Sequence, residues 1–363
     1  MRHPCLALLG LLALGLPAVA QSPPNVVVIY ADDLGYGDLA SYGHPRLETP
    51  ALDELARQGM RLTSYYAPAP LCSPSRAGLL TGRTPARTGV ESWIPAGSDV
   101  ELGANETTLA TLFRRHGYRT FLSGKWHLNG GPGLAGQLQP DDHGFDRWLA
   151  LHGWPIPNNR DPVNFHRDGV ALGEVEGYTG SIVVDQAIEW LEAAGDSAPF
   201  FLYLAMIEPH SLIANPAEYN AKYADLTRGR VVPFENPLSA ELPPPDDLAA
   251  RGPGEYLANI TYMDAQIGRF LEWLEANGLA EETLVVFTSD NGAVTTDWRR
   301  WWEVNLYGDT GGLRGRKGDL YEGGIRVPAI VRWPGRVPAG TASDVPVYGL
   351  DWLPTLASLA GFE

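Results

Sequence analysis

Two short runs of consecutive apolar residues constrain the fold of this chain more than any other feature. Residues 25–30 (NVVVIY) and 284–288 (LVVFT) are rich in β-branched side chains and contain almost no charge. Such runs are typical of strands that are buried on both faces, as in a parallel sheet covered by helices. Residues 200–206 (FFLYLAM) have the same character. The sequence therefore predicts an α/β fold with a largely parallel central sheet.

Segments with a helical spacing of apolar residues alternate with these strands. The predicted helices cover residues 50–58, 107–116, 182–191 and 256–276. Further predicted strands cover residues 119–123 and 327–333. Thr49 is the expected N-cap of the first helix. The alternation predicts helices on both faces of the sheet. Residues 229–254 are rich in proline and acid, and we expect a long surface excursion there.

The N-terminus has the features of a secretory signal. Arg2 and His3 precede a short apolar run, and Ala18-Val19-Ala20 resembles a cleavage site. The run is shorter than the roughly 20 residues of a membrane span, so an uncleaved anchor is the weaker alternative. We therefore expect residues 1–20 to be a signal peptide and residues 21–363 to form an exported domain, which is periplasmic or secreted, or of lysosomal type in a eukaryote. The mature chain would have no membrane span.

The charge balance excludes one class of partner. The chain has 27 Lys and Arg residues against 43 Asp and Glu residues, a net charge of −16. Nucleic-acid binding needs a basic face, so no nucleic-acid partner is expected. An anionic substrate would require a local cluster of positive side chains.

Acidic side chains follow the first and last of the apolar runs. Asp32 and Asp33 come directly after residues 25–30, and Asp290 and Asn291 follow residues 284–288. In open α/β sheets, ligands bind at the carboxyl ends of the strands. Three carboxylates and an amide oxygen suit Ca²⁺ or Mg²⁺. Either pair alone would more often belong to a turn or a cap, but two such pairs favour a metal site.

The most specific segment is residues 70–82 (PLCSPSRAGLLTG). Pro74 suits a first helical turn, which would put Cys72 at a helix N-terminus, with Arg76 on the same side four residues later. The alternative for Cys72 is a buried structural cysteine beside a capping serine. Lys125 and His127 follow a predicted strand and could serve an anionic substrate, although each alone would more often be solvated or structural.

Together these segments strongly resemble the formylglycine-dependent type I sulfatases of the alkaline phosphatase superfamily. The resemblance rests on residues 31–33 (ADD), 72–82 (CSPSRAGLLTG), 117–127 (GYRTFLSGKWH), 208–210 (EPH), 289–292 (SDNG), 316–328 (RKGDLYEGGIRVP) and 351–361 (DWLPTLASLAG). It implies a mostly parallel, mixed sheet flanked by helices. Family members usually continue into a small C-terminal domain with an antiparallel sheet. That domain is expected to be missing here, in a fragment or an unusually short member.

The resemblance also implies roles for individual residues. Cys72 would be oxidised to formylglycine (3-oxoalanine) by a formylglycine-generating or an anaerobic sulfatase-maturating enzyme, with Pro74 and Arg76 completing the recognition motif. The implied ligands of Ca²⁺, or alternatively of Mg²⁺, are Asp32, Asp33, Asp290, Asn291 and the modified Cys72. The implied substrate and catalytic residues are Arg76 on the hydrated aldehyde, Lys125 and Lys317 on the sulfate, His127 as base and His210 at the leaving oxygen. His152 is a candidate substrate contact, with a turn-capping residue as the alternative.

The predicted function is hydrolysis of a sulfate ester on a small molecule or glycan, with a sugar as the expected substrate. One alternative is a phosphonate monoester or phosphodiester hydrolase of the same superfamily. Another is a non-catalytic carbohydrate-binding protein in which Cys72 stays unconverted. Residues 298–302 (WRRWW) are expected to start at the rim of the pocket and to bind a sulfated saccharide. The alternative is that the tryptophans only pack the loop, or lie where the missing C-terminal domain would cover them.

Overall fold

The computed structural model of the chain describes residues 23–195, 198–226, 252–294 and 307–362. The expected signal peptide, most of the expected excursion over residues 229–254, and the WRRWW segment at 298–302 lie outside the described residues. Within the described part of the chain, no helix combines the length and the apolar character that crossing a bilayer requires.

A ten-stranded mixed sheet forms the centre of the fold. The strands, in chain order, are β1 (Asn25–Ala31), β2 (Met60–Leu62), β3 (Tyr65–Tyr66), β4 (Arg119–Lys125), β5 (Arg147–Leu151), β6 (His166–Arg167), β7 (Val170–Ala171), β8 (Phe200–Ala205), β9 (Thr283–Ser289), β10 (Ala329–Arg332), β11 (Thr341–Ser343) and β12 (Val347–Tyr348). Their order across the sheet is β11-β2-β10-β9-β1-β8-β4-β5-β6-β7, while β3 and β12 form a separate pair.

The middle of the sheet is parallel because its strands are connected through helices. β1 pairs in parallel with both β8 and β9, and β4 pairs in parallel with β8 and β5. All seven residues of β1 are buried, and alternate side chains enter opposite apolar layers. This burial on both faces explains why the sequence of β1 is apolar throughout rather than alternating.

Helices cover both faces of the sheet, as the sequence predicts. They are α1 (Pro50–Gln58), α2 (Cys72–Thr81), α3 (Pro85–Thr88), α4 (Leu109–Arg115), α5 (Thr179–Ala194), α6 (Ala217–Lys222), α7 (Pro253–Ala276), α8 (Glu322–Ile325) and α9 (Trp352–Leu359). Apolar side chains of α1, α5 and α7 pack on one face, and those of α2, α4 and α9 pack on the other.

The structure differs locally from these expectations. The predicted strand at residues 327–333 is shorter, and as β10 it runs antiparallel to β9. Strand β5, which extends the sheet beyond β4, was not predicted. Thr49 lies at the N-cap position of α1 but makes no side-chain cap there. Instead the buried carboxylate of Asp264, on α7, accepts hydrogen bonds from the backbone amides of Ala51 and Leu52.

Candidate active site

The carboxyl ends of β1 and β9 bring four polar side chains to one edge of the sheet. Ala31 of β1 is in register with Ser289 of β9, so the residues that follow each strand are neighbours. The backbone amide of Asp33 donates to Asp290 Oδ1 at 3.1 Å, and Asn291 Nδ2 donates to Asp33 Oδ1 at 2.7 Å. Asp33 has a φ of +70°, a strained conformation of the kind that clusters at functional sites.

Cys72 is the first residue of helix α2 and lies beside this cluster. The thiol Sγ lies 3.7 Å from Asp32 Oδ1 and 4.0 Å from Asp33 Oδ1, and Lys317 Nζ lies 3.2 Å from the same sulfur. Cys72 is only 2% exposed. Burial raises the pKa of its thiol to about 12, so unmodified Cys72 stays protonated near neutral pH. A protonated thiol is a poor nucleophile.

Arg76 lies one turn further along α2 and is completely buried. Its Nη2 and Nε donate to Asp290 Oδ2 at 2.8 and 3.1 Å, and its Nη1 donates to the backbone oxygen of Lys125 at 3.2 Å. The guanidinium also lies over the ring of Tyr30, with its carbon 5.4 Å from the ring centroid. Arg76 thereby joins the start of α2 to the ends of β4 and β9.

Two lysines complete the positive side of the cluster. Lys125, the last residue of β4, donates to Asp32 Oδ2 at 2.6 Å. Lys317 lies in the loop before α8 and donates to Asp33 Oδ1 at 2.5 Å, while its backbone amide bonds the oxygen of Ala293. Both lysines are nine-tenths or more buried. They provide the local positive charge that the net charge of the chain does not.

The three carboxylates differ in acidity because their positive neighbours differ. Burial raises the pKa of Asp32 to about 8, although Lys125 opposes the rise. Burial also acts on Asp290, but Arg76, Lys125 and Lys317 outweigh it and hold the Asp290 pKa below its usual value. Lys317 likewise lowers the pKa of Asp33 against the effect of burial. A cation bound beside Asp32 would favour its ionised form as well.

The residues present fit a hard divalent cation. One ligand atom each from Asp32, Asp33, Cys72 and Asp290 lie within 4.8 Å of one another. Asp33 Oδ2 and Asn291 Oδ1 are buried and have no hydrogen-bond partner among the described residues. Buried oxygens without a partner are costly unless an ion or water meets them. A donor set of carboxylate and amide oxygens favours Ca²⁺ or Mg²⁺ over a softer metal.

The two ring nitrogens of His127 have different surroundings. Its Nε2 is 3.1 Å from the carbonyl oxygen of Ile94, which can only accept, so the ring proton lies on Nε2. Nδ1 is buried without a partner among the described residues and carries the free lone pair. Burial, together with the charge of Lys125, holds the pKa of His127 well below its usual value. The backbone of His127, like that of Asp33, has a positive φ, here +56°.

His152 lies directly against His127. The two rings form an edge-to-face pair with centroids 4.8 Å apart. Burial and the charge of Lys125 lower the pKa of His152 to about 4, so both histidines of the pair are neutral near neutral pH. His152 therefore lies next to His127 at the edge of the cluster, and a substrate contact and a turn-capping role both stay predictions.

His210 lies at the more accessible side of the cluster. Its Nδ1 donates to the carbonyl oxygen of Ser211 at 2.6 Å, and its Nε2 is 3.7 Å from Asp33 Oδ2. Burial and the charges of Lys125 and Lys317 lower the His210 pKa to about 3 despite the opposing effect of Asp33. The indole of Trp154 is parallel to the His210 ring, with centroids 6.3 Å apart.

The structure thus brings the sequence-predicted site residues to one end of the sheet. They are Asp32, Asp33, Cys72, Arg76, Lys125, His127, His152, His210, Asp290, Asn291 and Lys317. Sequence reasoning missed Trp154. The residues around Trp154 form no recognisable motif, and its position beside His210 depends on how its loop packs.

Comparison with known proteins decides the family. A family model described as Sulfatase matches residues 24–362. The chain belongs to the sulfatase family. Its relatives are sulfuric ester hydrolases, and membership assigns the chain to that class of enzymes. The expected family and fold class are confirmed.

The individual relatives of this sulfatase-family chain differ in substrate. Arylsulfatase A of Bos taurus is 35% identical over 379 residues, which cover 97% of this chain and 67% of the relative. Steryl-sulfatase of Mus musculus is 37% identical over 401 residues, covering 95% of this chain and 63% of the relative. The chain spans about two thirds of the length of these relatives. The crystal structure of Ps i-CgsB in complex with k-i-k-neocarrahexaose matches with a TM-score of 0.79 and 29% identity, covering 94% of this chain and 73% of that one.

Proposed function

We propose that this chain hydrolyses a sulfate ester on a carbohydrate to an alcohol and inorganic sulfate, with formylglycine made from Cys72 as the nucleophile. The observation that carries the proposal is the position of Cys72. It lies buried at the start of α2, within 4.0 Å of two aspartates and of Lys317. The charged groups around this thiol suit an anionic group and a cation. The thiol itself has little structural role among them.

The modification gives this position a nucleophile that the thiol does not supply. Cys72, Pro74 and Arg76 satisfy the C-x-P-x-R signal, so a formylglycine-generating or anaerobic sulfatase-maturating enzyme is the proposed partner. The hydrated aldehyde supplies two hydroxyl groups, one to attack sulfur and one to lose its proton and expel sulfate. A serine at the same position would supply one hydroxyl and would be left as a stable sulfate ester.

The proposed metal is Ca²⁺, with Mg²⁺ as the alternative. Asp32, Asp33, Asp290 and Asn291 would hold it together with the modified Cys72, consistent with the unpartnered oxygens of Asp33 and Asn291. When bound, the ion would polarise a sulfate oxygen and the nucleophilic hydroxyl. With all three carboxylates ionised, the three aspartates cancel the charges of Arg76, Lys125 and Lys317. A divalent ion would then give the cluster an excess of positive charge for an anionic sulfate group.

The remaining side chains are suited to bind the sulfate group and to transfer protons. Lys125 and Lys317 can donate to sulfate oxygens while they stay paired with Asp32 and Asp33. His127 Nδ1 has the free lone pair that a base needs to take the proton of the second hydroxyl. His210 Nε2 is available to the leaving oxygen. A bound anion would counter the lysine charges and raise the pKa of His210, which favours proton donation.

A carbohydrate substrate and export complete the proposal. Ps i-CgsB, whose structure contains k-i-k-neocarrahexaose, shares the fold at 29% identity. The basic and apolar N-terminal residues support residues 1–20 as a secretory signal, with residues 21–363 as the catalytic domain. The same charged cluster would also accept a phosphoryl group, so a phosphonate monoester or phosphodiester hydrolase is the competing outcome of the test below.

Mass spectrometry and a substrate comparison test the proposal together. Chain produced with a maturating enzyme should give a Cys72 peptide about 18 Da lighter than the unmodified thiol peptide. The same preparation should release sulfate from sulfate esters much faster than it cleaves the matching phosphonate and phosphate esters. A Cys72→Ala variant, purified identically, controls for contaminating hydrolases.

Three results would contradict the proposal. A fully active enzyme with an unmodified Cys72 peptide would refute the formylglycine nucleophile. A preference for the phosphonate or phosphodiester would support the competing activity. Modified protein that binds saccharides without cleaving any ester would indicate a binding protein.

A further inference from the structure

A single loop contacts both site histidines. His152, at its start, packs edge-to-face on His127, and Trp154, two residues later, packs parallel to His210. The planes of the Trp154 and His210 rings differ by 1°, and their centroids are 6.3 Å apart. That geometry lies within the range of offset stacking between aromatic rings.

The loop is held in place by its own hydrogen bonds. Asn164 Nδ2 donates to the backbone oxygen of Trp154 at 2.9 Å, and Asn164 Oδ1 accepts from the amide of Ile156 at 3.0 Å. The amide of Asn159 donates to the oxygen of Leu212, two residues after His210. The loop that carries Trp154 is therefore joined through the backbone to the segment that follows His210.

Trp154 is nevertheless more exposed than the side chains of the cluster. Trp154 is 37% exposed, whereas Cys72, Arg76 and Lys125 are no more than 2% exposed. His210, at 15%, is intermediate. The open part of the indole lies beside His210, at the accessible side of the cluster, where a substrate would approach. The accessible side of the site is thus lined by an aromatic face.

Resting on the proposed function, we propose that Trp154 binds the sugar ring that carries the scissile sulfate. When the sulfate occupies the lysine cluster and the leaving oxygen meets His210 Nε2, the carbon ring bonded to that oxygen lies next to the indole. A pyranose has a C–H face that packs on an indole and hydroxyl groups that remain in water at its edge. Trp154 thereby selects cyclic polyols over flexible or branched sulfated alcohols.

The test is steady-state kinetics of Trp154→Ala on sulfated hexoses and N-acetylhexosamines. We expect kcat/KM to fall about tenfold or more on the best sulfated sugar, with most of the loss in KM and kcat within about twofold of the wild type. Trp154→Phe should recover most of the loss, since it restores an aromatic face. Ile156→Ala is the matched control, because Ile156 is an apolar residue of the same loop that is even more open, 50% exposed against 37%, and should behave as wild type.

Inhibition by inorganic sulfate separates binding of the sugar from support of the cluster. Sulfate fills the lysine cluster without reaching Trp154, so its inhibition constant should be unchanged in Trp154→Ala. An inhibition constant that rises in parallel with KM would show a structural role and overturn the inference. A fall in kcat on every ester with KM unchanged would instead make Trp154 a positioning residue for His210, and would also overturn it.

The remaining outcomes distinguish this inference from the proposed function. If the wild type hydrolyses sulfated sugars and Trp154→Ala does so equally well, the proposed binding of the sugar by Trp154 is refuted and the sulfatase activity stands. If the wild type hydrolyses para-nitrophenyl sulfate or steroid sulfates but no sulfated sugar, the proposed binding of the sugar by Trp154 is again refuted. If modified wild type releases sulfate from no ester, the proposed function fails, and the inference fails with it.

Discussion

The ion pair between Arg76 and Asp290 offers the sharpest test of how the site is held together. Both side chains are fully buried, and two N–H···O bonds of 2.8 and 3.1 Å join them. Arg76→Met leaves the Asp290 carboxylate buried without its main partner. Loss of one member of such a pair costs about 3–5 kcal/mol. Lys125 and Lys317 also stabilise the Asp290 anion, so we expect the lower end of that range.

A double-mutant cycle isolates the pair from the other effects of each substitution. Asp290→Asn should cost less than Arg76→Met, because the amide oxygen still accepts a hydrogen bond from Arg76. In the double variant neither side chain leaves a buried charge unpaired. The combined loss should therefore fall short of the sum of the single losses by about 2 kcal/mol. The exposed pair Arg46–Asp225, at 2.7 Å, is the matched control and should show no measurable coupling.

The measurement is urea unfolding followed by far-ultraviolet circular dichroism, with a chelator present in all samples so that a bound cation does not mask the pair. The sign of the pH dependence gives a second check. The Asp290 pKa is lowered in the fold, so its contribution to stability is complete above the unfolded-state pKa and is lost as the pH falls through the folded-state value. Asp290→Asn should remove that part of the acid sensitivity. Additivity within about 0.5 kcal/mol would refute the reasoning.

Three further predictions concern the metal, the nucleophile and the fold. Chelation should abolish sulfate release and Ca²⁺ should restore it, and Asp33→Asn should weaken Ca²⁺ binding at least about tenfold by calorimetry; full activity in metal-free protein would contradict the metal site. Cys72→Ser should keep the circular dichroism of the wild type but make no more than one turnover, and repeated turnover would contradict the need for two hydroxyls. Asp264→Ala should lower the free energy of unfolding by about 2 kcal/mol in urea, since it leaves two amides of α1 without their cap; unchanged stability would show that water replaces Asp264 at no cost.

Much of the framework could be predicted because the relevant signals are local. The runs that became β1, β8 and β9 are apolar throughout, and that pattern arises directly from burial on both faces. Parallel strands end at the same edge, so residues directly after β1 and β9 had to meet. The position of Cys72 at a helix start was equally local, since Pro74 is compatible only with the first turn of α2.

Other features depended on which segments pack together. The sequence of β10 does not show whether the strand is parallel or antiparallel to its neighbour, because apolar residues indicate burial and not strand direction. Thr49 has the chemistry of an N-cap, yet Asp264, distant in the chain, takes that role because α7 packs across the start of α1. Strand β5 was missed because its five residues become recognisable as a strand only when paired with β4.

The sequence by itself therefore determined the parallel centre of the sheet, the family and the set of groups that converge at one edge, since each follows from local pattern and strand polarity. The tertiary structure alone decided how those groups act on one another. It paired Arg76 with Asp290, set the acidity of Asp32 apart from that of its neighbours, and laid Trp154 against His210. These properties arise from burial and from distances between segments remote in the chain, and neither quantity is encoded in any short stretch of residues.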